Sequence, residues 1–343
     1  MKKNRIVSVI LVLTLLFTAT VFGVYAHAAE TTAPDTAGFG SRFITFFQNL
    51  FARVKALFSR IRQWAEVKME KVPLTMNKNA IHMLKSVTDT IGDSFIITTA
   101  DGKVIAVDGG SRTETDYFIE YLKAVTGQRK PHIDVWFLSH PHDDHCEVFL
   151  EIAENRSRDV TFGKVYANFP EASFYEGTDE WAFTVLSDYY RLLPRFADKT
   201  AQLHEGDVFS VGDAKFTVFY TFDPQWKLCN SASAIMRMDL GGKSVMFTGD
   251  AYVDPGNYVV EKYADTGLLK CDICKMAHHG QDGVDRNFYE AVSPEVCLWP
   301  TPSWVWDNRN GNLKTLEVRG WIEELGVTEN YVAMDGSKVL YLN

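Results

Sequence analysis

The chain has 343 residues, 46% apolar and 23% charged, with nine histidines and a formal net charge of −9. These proportions fit a soluble globular protein and exclude a disordered, collagen-like or disulfide-scaffold chain. Only one stretch, residues 6–25, is apolar enough to enter a membrane, which excludes a multi-span transporter.

That stretch lies between Lys2, Lys3 and Arg5 on one side and Ala26-His27-Ala28 on the other. A basic head, an apolar core and an Ala-x-Ala site form a secretory signal, cleaved after Ala28 or retained as an N-terminal anchor. Either form predicts a secreted or extracytoplasmic protein. Residues 1–28 hold three of the positive charges, so the chain without them carries about −12. Residues 1–71 carry ten Lys/Arg against four Asp/Glu, which leaves −15 on residues 72–343. A body this acidic disfavours nucleic acid as a general partner, since such binders need a basic footprint.

Residues 29–40 (AETTAPDTAGFG) are small and polar and read as a linker. Phe43, Phe47, Leu50, Val54, Leu57, Ile61 and Trp64 then recur at alternating spacings of four and three. Arg53, Arg60 and Arg62 lie off that stripe, and no acid occurs between Asp35 and Glu66. The pattern predicts an amphipathic basic helix of about 25 residues, ending before Pro73. Residues 42–64 would contact an anionic membrane surface, or pack on the main domain or on another copy. The expected organisation is a signal or anchor over 1–28, linker plus helix over 29–76, and a main domain over 77–343.

In the main domain, strands are predicted over 81–85, 94–98, 104–107, 135–138, 215–221, 233–238, 244–247, 273–276, 296–299 and 339–342. Helices are predicted over 115–126, 149–155, 184–196, 258–266 and 313–325. Turns such as Asp101-Gly102 and Gly241-Gly242 intervene. This alternation predicts sheets covered by helices. The five cysteines, Cys146, Cys229, Cys271, Cys274 and Cys297, are an odd number, so at least one thiol is unpaired. Cys271 and Cys274 have C-x-x-C spacing, but the strand-like run 273–277 favours small buried side chains over redox or metal chemistry.

The strand predicted over 135–138 runs into Ser139-His140-Pro141-His142-Asp143-Asp144-His145. Four metal-capable side chains within six residues at a strand end cannot all be buried unpaired; imidazole and carboxylate suit Zn²⁺ and related cations. Two later strands end in Thr248-Gly249-Asp250 and in His278-His279-Gly280. Carboxylate and imidazole thus recur at strand C-termini, where separate strands can converge on one site.

The order H-x-H-x-D-H, T-G-D-A and H-H-G resembles the metallo-β-lactamase superfamily. Within it, the sequence is most similar to the extracellular hydrolase domain of bacterial DNA-uptake competence proteins (ComEC type). Gly92-Asp93-Ser94, Asp108-Gly109-Gly110 and residues 230–233 also match, and the likeness covers about residues 78–340. The resemblance implies an α/β (α+β) fold, a four-layer αββα sandwich with a dinuclear site at one edge. It implies one metal on His140 and His142, a second on Asp144 and His145, and Asp250 bridging both. His278 or His279 would complete the second site, with His278, nearer the strand, preferred. Asp144 and Asp250 would be the catalytic carboxylates, and Asp143 would orient the site. The implied cofactors are two divalent ions, Zn²⁺ or Mn²⁺, which lower the pKa of a shared water and polarise the oxygen under attack.

The resemblance therefore implies an exported metal-dependent hydrolase acting on a phosphodiester or related ester, in a small molecule or a polymer. The alternatives are a lactone, thioester or β-lactam hydrolase, and a non-catalytic membrane-surface protein that binds metal. The sequence departs from the pattern in two places. Many members have a further His before the strand leading to Gly-Asp; here Cys229 or Asn230 stands there, and no His occurs between His204 and His278. The first metal is thus expected to bind more weakly than the second, unless Cys229 supplies a thiolate. The last loop, TPSWVWDNRNG, lacks the His that competence-type domains often carry. Trp304 and Trp306 in it are either pocket wall or core.

Overall fold

The computed structural model describes the backbone of residues 37–343 and side chains from Ile44 onward. The signal-like segment and residues 29–36 lie outside the described residues. Among the described residues no helix is long and apolar enough to cross a membrane. The chain divides into two compact units, Met1–Ser59 and Arg60–Asn343.

A 34-residue helix, Ala37–Glu70, starts in the first unit and ends in the second. It is longer than the 25 residues expected, and it begins inside the segment read as linker. In the first unit Ile44, Phe46, Phe51 and Leu57 are exposed. In the second unit the predicted apolar stripe also stays out, with Ile61 and Trp64 exposed. The buried residues there are Gln63 and Val67. Gln63 Nε2 donates to the Thr113 carbonyl at 2.9 Å, and Gln63 Oε1 accepts from the Tyr117 amide at 2.6 Å. Glu66 and Glu70 meet Lys85 Nζ at 3.3 and 2.7 Å. The last turns are thus held by a polar edge that satisfies backbone and charged groups, and they belong to the second unit.

Two seven-stranded sheets form the centre of that unit, ordered β14-β1-β2-β3-β4-β5-β6 and β13-β12-β11-β10-β9-β8-β7. The first holds β1 (Ala80–Met83), β2 (Ser94–Thr98), β3 (Val104–Asp108), β4 (His132–Phe137), β5 (Thr161–Ala167), β6 (Thr200–Gln202) and β14 (Lys338–Tyr341). The second holds β7 (Val208–Val211), β8 (Ala214–Tyr220), β9 (Ile235–Leu240), β10 (Lys243–Phe247), β11 (Ile273–Lys275), β12 (Val296–Trp299) and β13 (Glu329–Val332).

Side chains alternate across a strand, and here both faces are buried. Phe95, Ile97, Ile105 and Phe137 enter a core between the sheets with Phe216, Met238 and Val245. Their neighbours Ile96, Ala106 and Trp136 face the other way, into a core shared with the helices Thr115–Thr126 and Asp143–Asn155. A third core joins Met246, Cys274 and Trp299 to the helices Val253–Tyr263, Arg286–Val292 and Thr315–Glu324. The layers are therefore helix, sheet, sheet, helix: the αββα sandwich. Because both faces are covered, the strands read as continuous apolar runs, and these were the legible ones. The less apolar β5, β6, β7 and β13 escaped the pattern.

Strands β3 to β6 run parallel, as do β10 to β13. Parallel strands place their carboxyl ends along one edge of a sheet, the usual place for a site in such sheets. Asp108 closes β3, and residues 139–145, 248–250 and 276–280 follow the ends of β4, β10 and β11.

Candidate metal centre

Asp144, His145, Asp250 and His279 converge although they come from three separate strand ends; one ligand atom from each lies within 4.8 Å of all the others. His145 Nε2 is 3.2 Å from Asp250 Oδ1. His279 Nε2 is 3.0 Å from Asp250 Oδ2 and 3.1 Å from Asp144 Oδ2. The rings of His140 and His142 are adjacent, with centroids 4.8 Å apart, and the His140 ring is 4.2 Å from that of His145.

Local backbone geometry aims these groups. The helix Asp143–Asn155 begins inside the first motif, so Asp143 and Asp144 sit in its first turn, where the helix dipole favours carboxylates. Gly249 has φ +48°, and a Cβ there would meet Ser233 at 2.9 Å and Ser139 at 3.0 Å. Only glycine lets Asp250 follow the strand so closely. Ser233 Oγ in turn accepts from the Asp250 amide at 2.9 Å. His278 and His279 both occupy the left-handed region, with φ +47° and +56°, and Gly280 follows at +78°. Such residues cost about 1–2 kcal/mol each and persist where surrounding structure imposes them. Here the turn drives His279 inward, fully buried. His278 stays partly exposed: its Nε2 is 3.1 Å from Asn230 Nδ2 and 3.9 Å from Asp250. The preference for His278 is thus reversed; His279 joins the cluster, because the turn and not nearness to the strand sets the ring's direction.

Three buried histidines share one arrangement. His140 Nδ1 meets Ser139 Oγ at 3.1 Å, His145 Nδ1 meets Asp108 Oδ2 at 2.8 Å, and His279 Nδ1 meets the Pro300 carbonyl at 3.1 Å. The Nε2 atom of His140 is buried without a hydrogen-bond partner, and those of His145 and His279 are buried facing the Asp144 and Asp250 carboxylates. A metal-ligating histidine has this form: one nitrogen anchored to an oxygen, the other left for the ion. Asp108 also accepts from the Ser139 amide and hydroxyl, both at 2.8 Å. The expected orienting residue, Asp143, instead lines the cleft above the cluster.

Charge tells the same story. Asp93, Asp108, Asp144 and Asp250 are all buried, while among the described residues the one buried Lys or Arg is Lys275. Its Nζ pairs with Asp93 and lies 3.4 Å from Asp250 Oδ1. Buried carboxylates in such excess need cations. Burial opposes charge on His145 and His279, yet Asp250 with Asp144 or Asp93 raises both imidazoles well above their ordinary range. Burial also opposes charge on Asp250, but His145, His279 and Lys275 hold it well below the usual carboxylate range. His140, which no carboxylate touches closely, is pushed down by burial and by its neighbours His145 and His142. The donors present fit a divalent cation: Asp144, His145, Asp250 and His279 would hold it, and the His140 and His142 rings stand beside them.

A cleft of about 660 Å³ opens over the cluster, lined by Asp143, Trp181, Tyr252, His278 and Trp304 among others. Trp304 is pocket wall, while Trp306 packs on the buried Trp299 with centroids 5.3 Å apart. All five cysteines are buried and free. Sequence reasoning gave no role to Asp93, Asp108, Asp179 or Lys275. Lys275 had a signal, a lysine inside an apolar run; Asp179 had one too, an acid opening a helix, but the helix was expected to start at residue 184 rather than at Glu180.

Residues 87–156, which include the first motif, match the family model of the Metallo-beta-lactamase superfamily. A 98-residue stretch is 26% identical to ComE operon protein 3 of Bacillus subtilis; it makes up 28% of this chain and 12% of that protein's length. Among solved structures, CmlA, a diiron beta-hydroxylase from Streptomyces venezuelae, superposes with a TM-score of 0.49 at 14% identity, over 77% of this chain and 54% of that one. YhfI, a metallo-beta-lactamase fold protein from Bacillus subtilis, gives 0.46 at 14% identity, over 76% and 99%. BJP-1, a subclass B3 metallo-beta-lactamase of Bradyrhizobium japonicum, gives 0.36 at 16% identity, over 60% and 77%.

Proposed function

We propose that this chain is a metal-dependent hydrolase of the metallo-β-lactamase superfamily that cleaves a phosphodiester or related ester outside the cytoplasmic membrane. The observation that carries the reading is the convergence of buried His145 and His279 with Asp144 and Asp250, with the buried His140 ring 4.2 Å from that of His145. Two divalent ions bound there would supply an activated water and polarise the oxygen under attack.

The chain's own residues do the rest. Asp108, Ser139 and the Pro300 carbonyl fix the ring orientations, and Asp250 meets both His145 and His279. Lys275 offsets part of the buried negative charge from behind, where it cannot reach substrate. Tyr252, Trp181 and Trp304 wall the cleft, whose volume suits a small molecule or a short segment of a polymer. Among the described residues no Lys or Arg lines the cleft, so a phosphoester would find its counter-charge on the ions. This disfavours long polyanions. The choice of a phosphodiester rests on the competence-type resemblance of the motif order. The exported location rests on the signal-like composition of residues 1–28, and a membrane-surface role on the exposed, basic, apolar helix around Leu57, Ile61 and Trp64.

The test is turnover of bis(p-nitrophenyl) phosphate, a lactone and nitrocefin by purified protein with bound metal measured. Metal-dependent turnover of the phosphodiester is expected. Turnover of the lactone or nitrocefin alone would replace the phosphodiester assignment, and no turnover by fully loaded protein would overturn the hydrolase reading.

A further inference from the structure

Resting on the metal-centre reading above, we propose that Asp179 and Cys229 complete the first metal site, replacing the absent third imidazole beside His140 and His142. His142 Nε2 lies 3.1 Å from Asp179 Oδ2. A nitrogen of His142, a carboxylate oxygen of Asp179 and the Cys229 sulfur all lie within 4.8 Å of one another. The three come from distant parts of the chain: the first motif, the start of the helix Glu180–Leu192, and the turn before β9.

Each donor is held for the role. Asp179 caps its helix, accepting from the Ala182 amide at 3.0 Å through Oδ1, which leaves Oδ2 directed at His142. Cys229 is buried in a small apolar cluster with Tyr175, Ala182 and Leu186. The buried Tyr175 hydroxyl stands beside the Cys229 sulfur, a donor in place for an anionic thiolate. Independently of these, His140 is fully buried and its Nε2 has no partner, next to the His142 ring. A structural role for Asp179 requires only the helix cap; it explains neither the approach to His142 nor the orphaned nitrogen of His140.

The consequence is a chemically unequal pair. Besides the shared Asp250, one site offers two imidazoles, a carboxylate and a soft sulfur; the other offers two imidazoles and a carboxylate. Thiolate favours zinc-like ions over harder manganese-like ones, and a metal-bound thiol is deprotonated. The first site therefore selects Zn²⁺ or Co²⁺, and the second accepts harder ions as well.

Titration of metal-free protein with Co²⁺, read by absorbance and by metal content, tests this. Two equivalents should bind, one of them producing a thiolate-to-cobalt charge-transfer band in the near ultraviolet. Cys229→Ser should abolish that band. Asp179→Asn keeps the helix cap and should weaken one equivalent about tenfold or more, leaving the other unchanged. Asp144→Asn should weaken the other equivalent and keep the band. Circular dichroism of each metal-free variant checks the fold. Two bound equivalents with no thiolate band, or unchanged affinities in Asp179→Asn, would overturn this inference and leave the metal centre standing. No Co²⁺ uptake at all would overturn both.

Discussion

At residue scale, His278 and His279 show how a one-residue choice is decided by geometry that no pattern records. Both follow β11, and both have positive φ, but the turn closed by Gly280 sends only His279 into the cluster. A Cβ at position 280 would stand 2.4 Å from the Trp299 ring, so glycine also fixes how near the turn approaches the core. His279→Ala should lower affinity for one metal by about tenfold or more, whereas His278→Ala should change it by much less. Calorimetric titration with Zn²⁺ checks the pair, and the reverse order would restore His278 as the ligand. The ligand types themselves were legible, because H-x-H-x-D-H, Gly-Asp and His-His-Gly sit at strand ends. The partners that orient them were not: Asp108 meets His145 from 37 residues away, across neighbouring parallel strands, and spacing along the chain says nothing of that.

The helix Ala37–Glu70 illustrates the same limit at the scale of an element. Its periodicity predicts the helix and leaves its apolar stripe open between a membrane surface and packing; in the second unit the packed residues are Gln63 and Val67 while Ile61 and Trp64 stay exposed. Apolar spacing marks a face without naming its partner, and the polar Gln63 packs because its amide matches two backbone groups. An exposed stripe flanked by Arg53, Lys55, Arg60 and Arg62 suits an anionic bilayer. Leu57→Glu with Ile61→Glu changes exposed positions only, so the fold should persist while binding to anionic vesicles is lost. Wild-type binding should also fade as salt rises. Vesicle sedimentation decides it, and equal binding by both proteins would assign the stripe to another role.

On the scale of the whole molecule, the sandwich was legible in its core strands, since both-face burial makes them continuous apolar runs. The edge strands β6 and β7 were missed because they carry polar, partly exposed residues. One buried group in this framework gives the stability a pH dependence. His82 in β1 is fully buried, with Nε2 2.8 Å from Thr75 Oγ1 and Nδ1 3.2 Å from the Tyr121 hydroxyl. Burial lowers its pKa to about 3. The unfolded chain takes up this proton near pH 6.5 and the folded one does not, so stability present above pH 6.5 is lost as pH falls toward 3. At pH 5 this group alone should cost about 2 kcal/mol. Urea unfolding of wild type and His82→Gln at pH 7 and pH 5 isolates it: the variant should lose less on acidification by about that amount, and parallel losses would show that His82 folds charged.

The central claim is that buried carboxylates and imidazoles at the sandwich edge exist to hold divalent cations, with Asp250 shared between two of them. Metal content after Zn²⁺ titration of stripped protein, compared between wild type and Asp250→Ala, measures this directly. The account predicts two equivalents on the wild type and at most one on the variant, with the variant's fold unchanged by circular dichroism. A wild type that takes up no metal, or an Asp250→Ala variant that binds two equivalents as tightly as wild type, would contradict it.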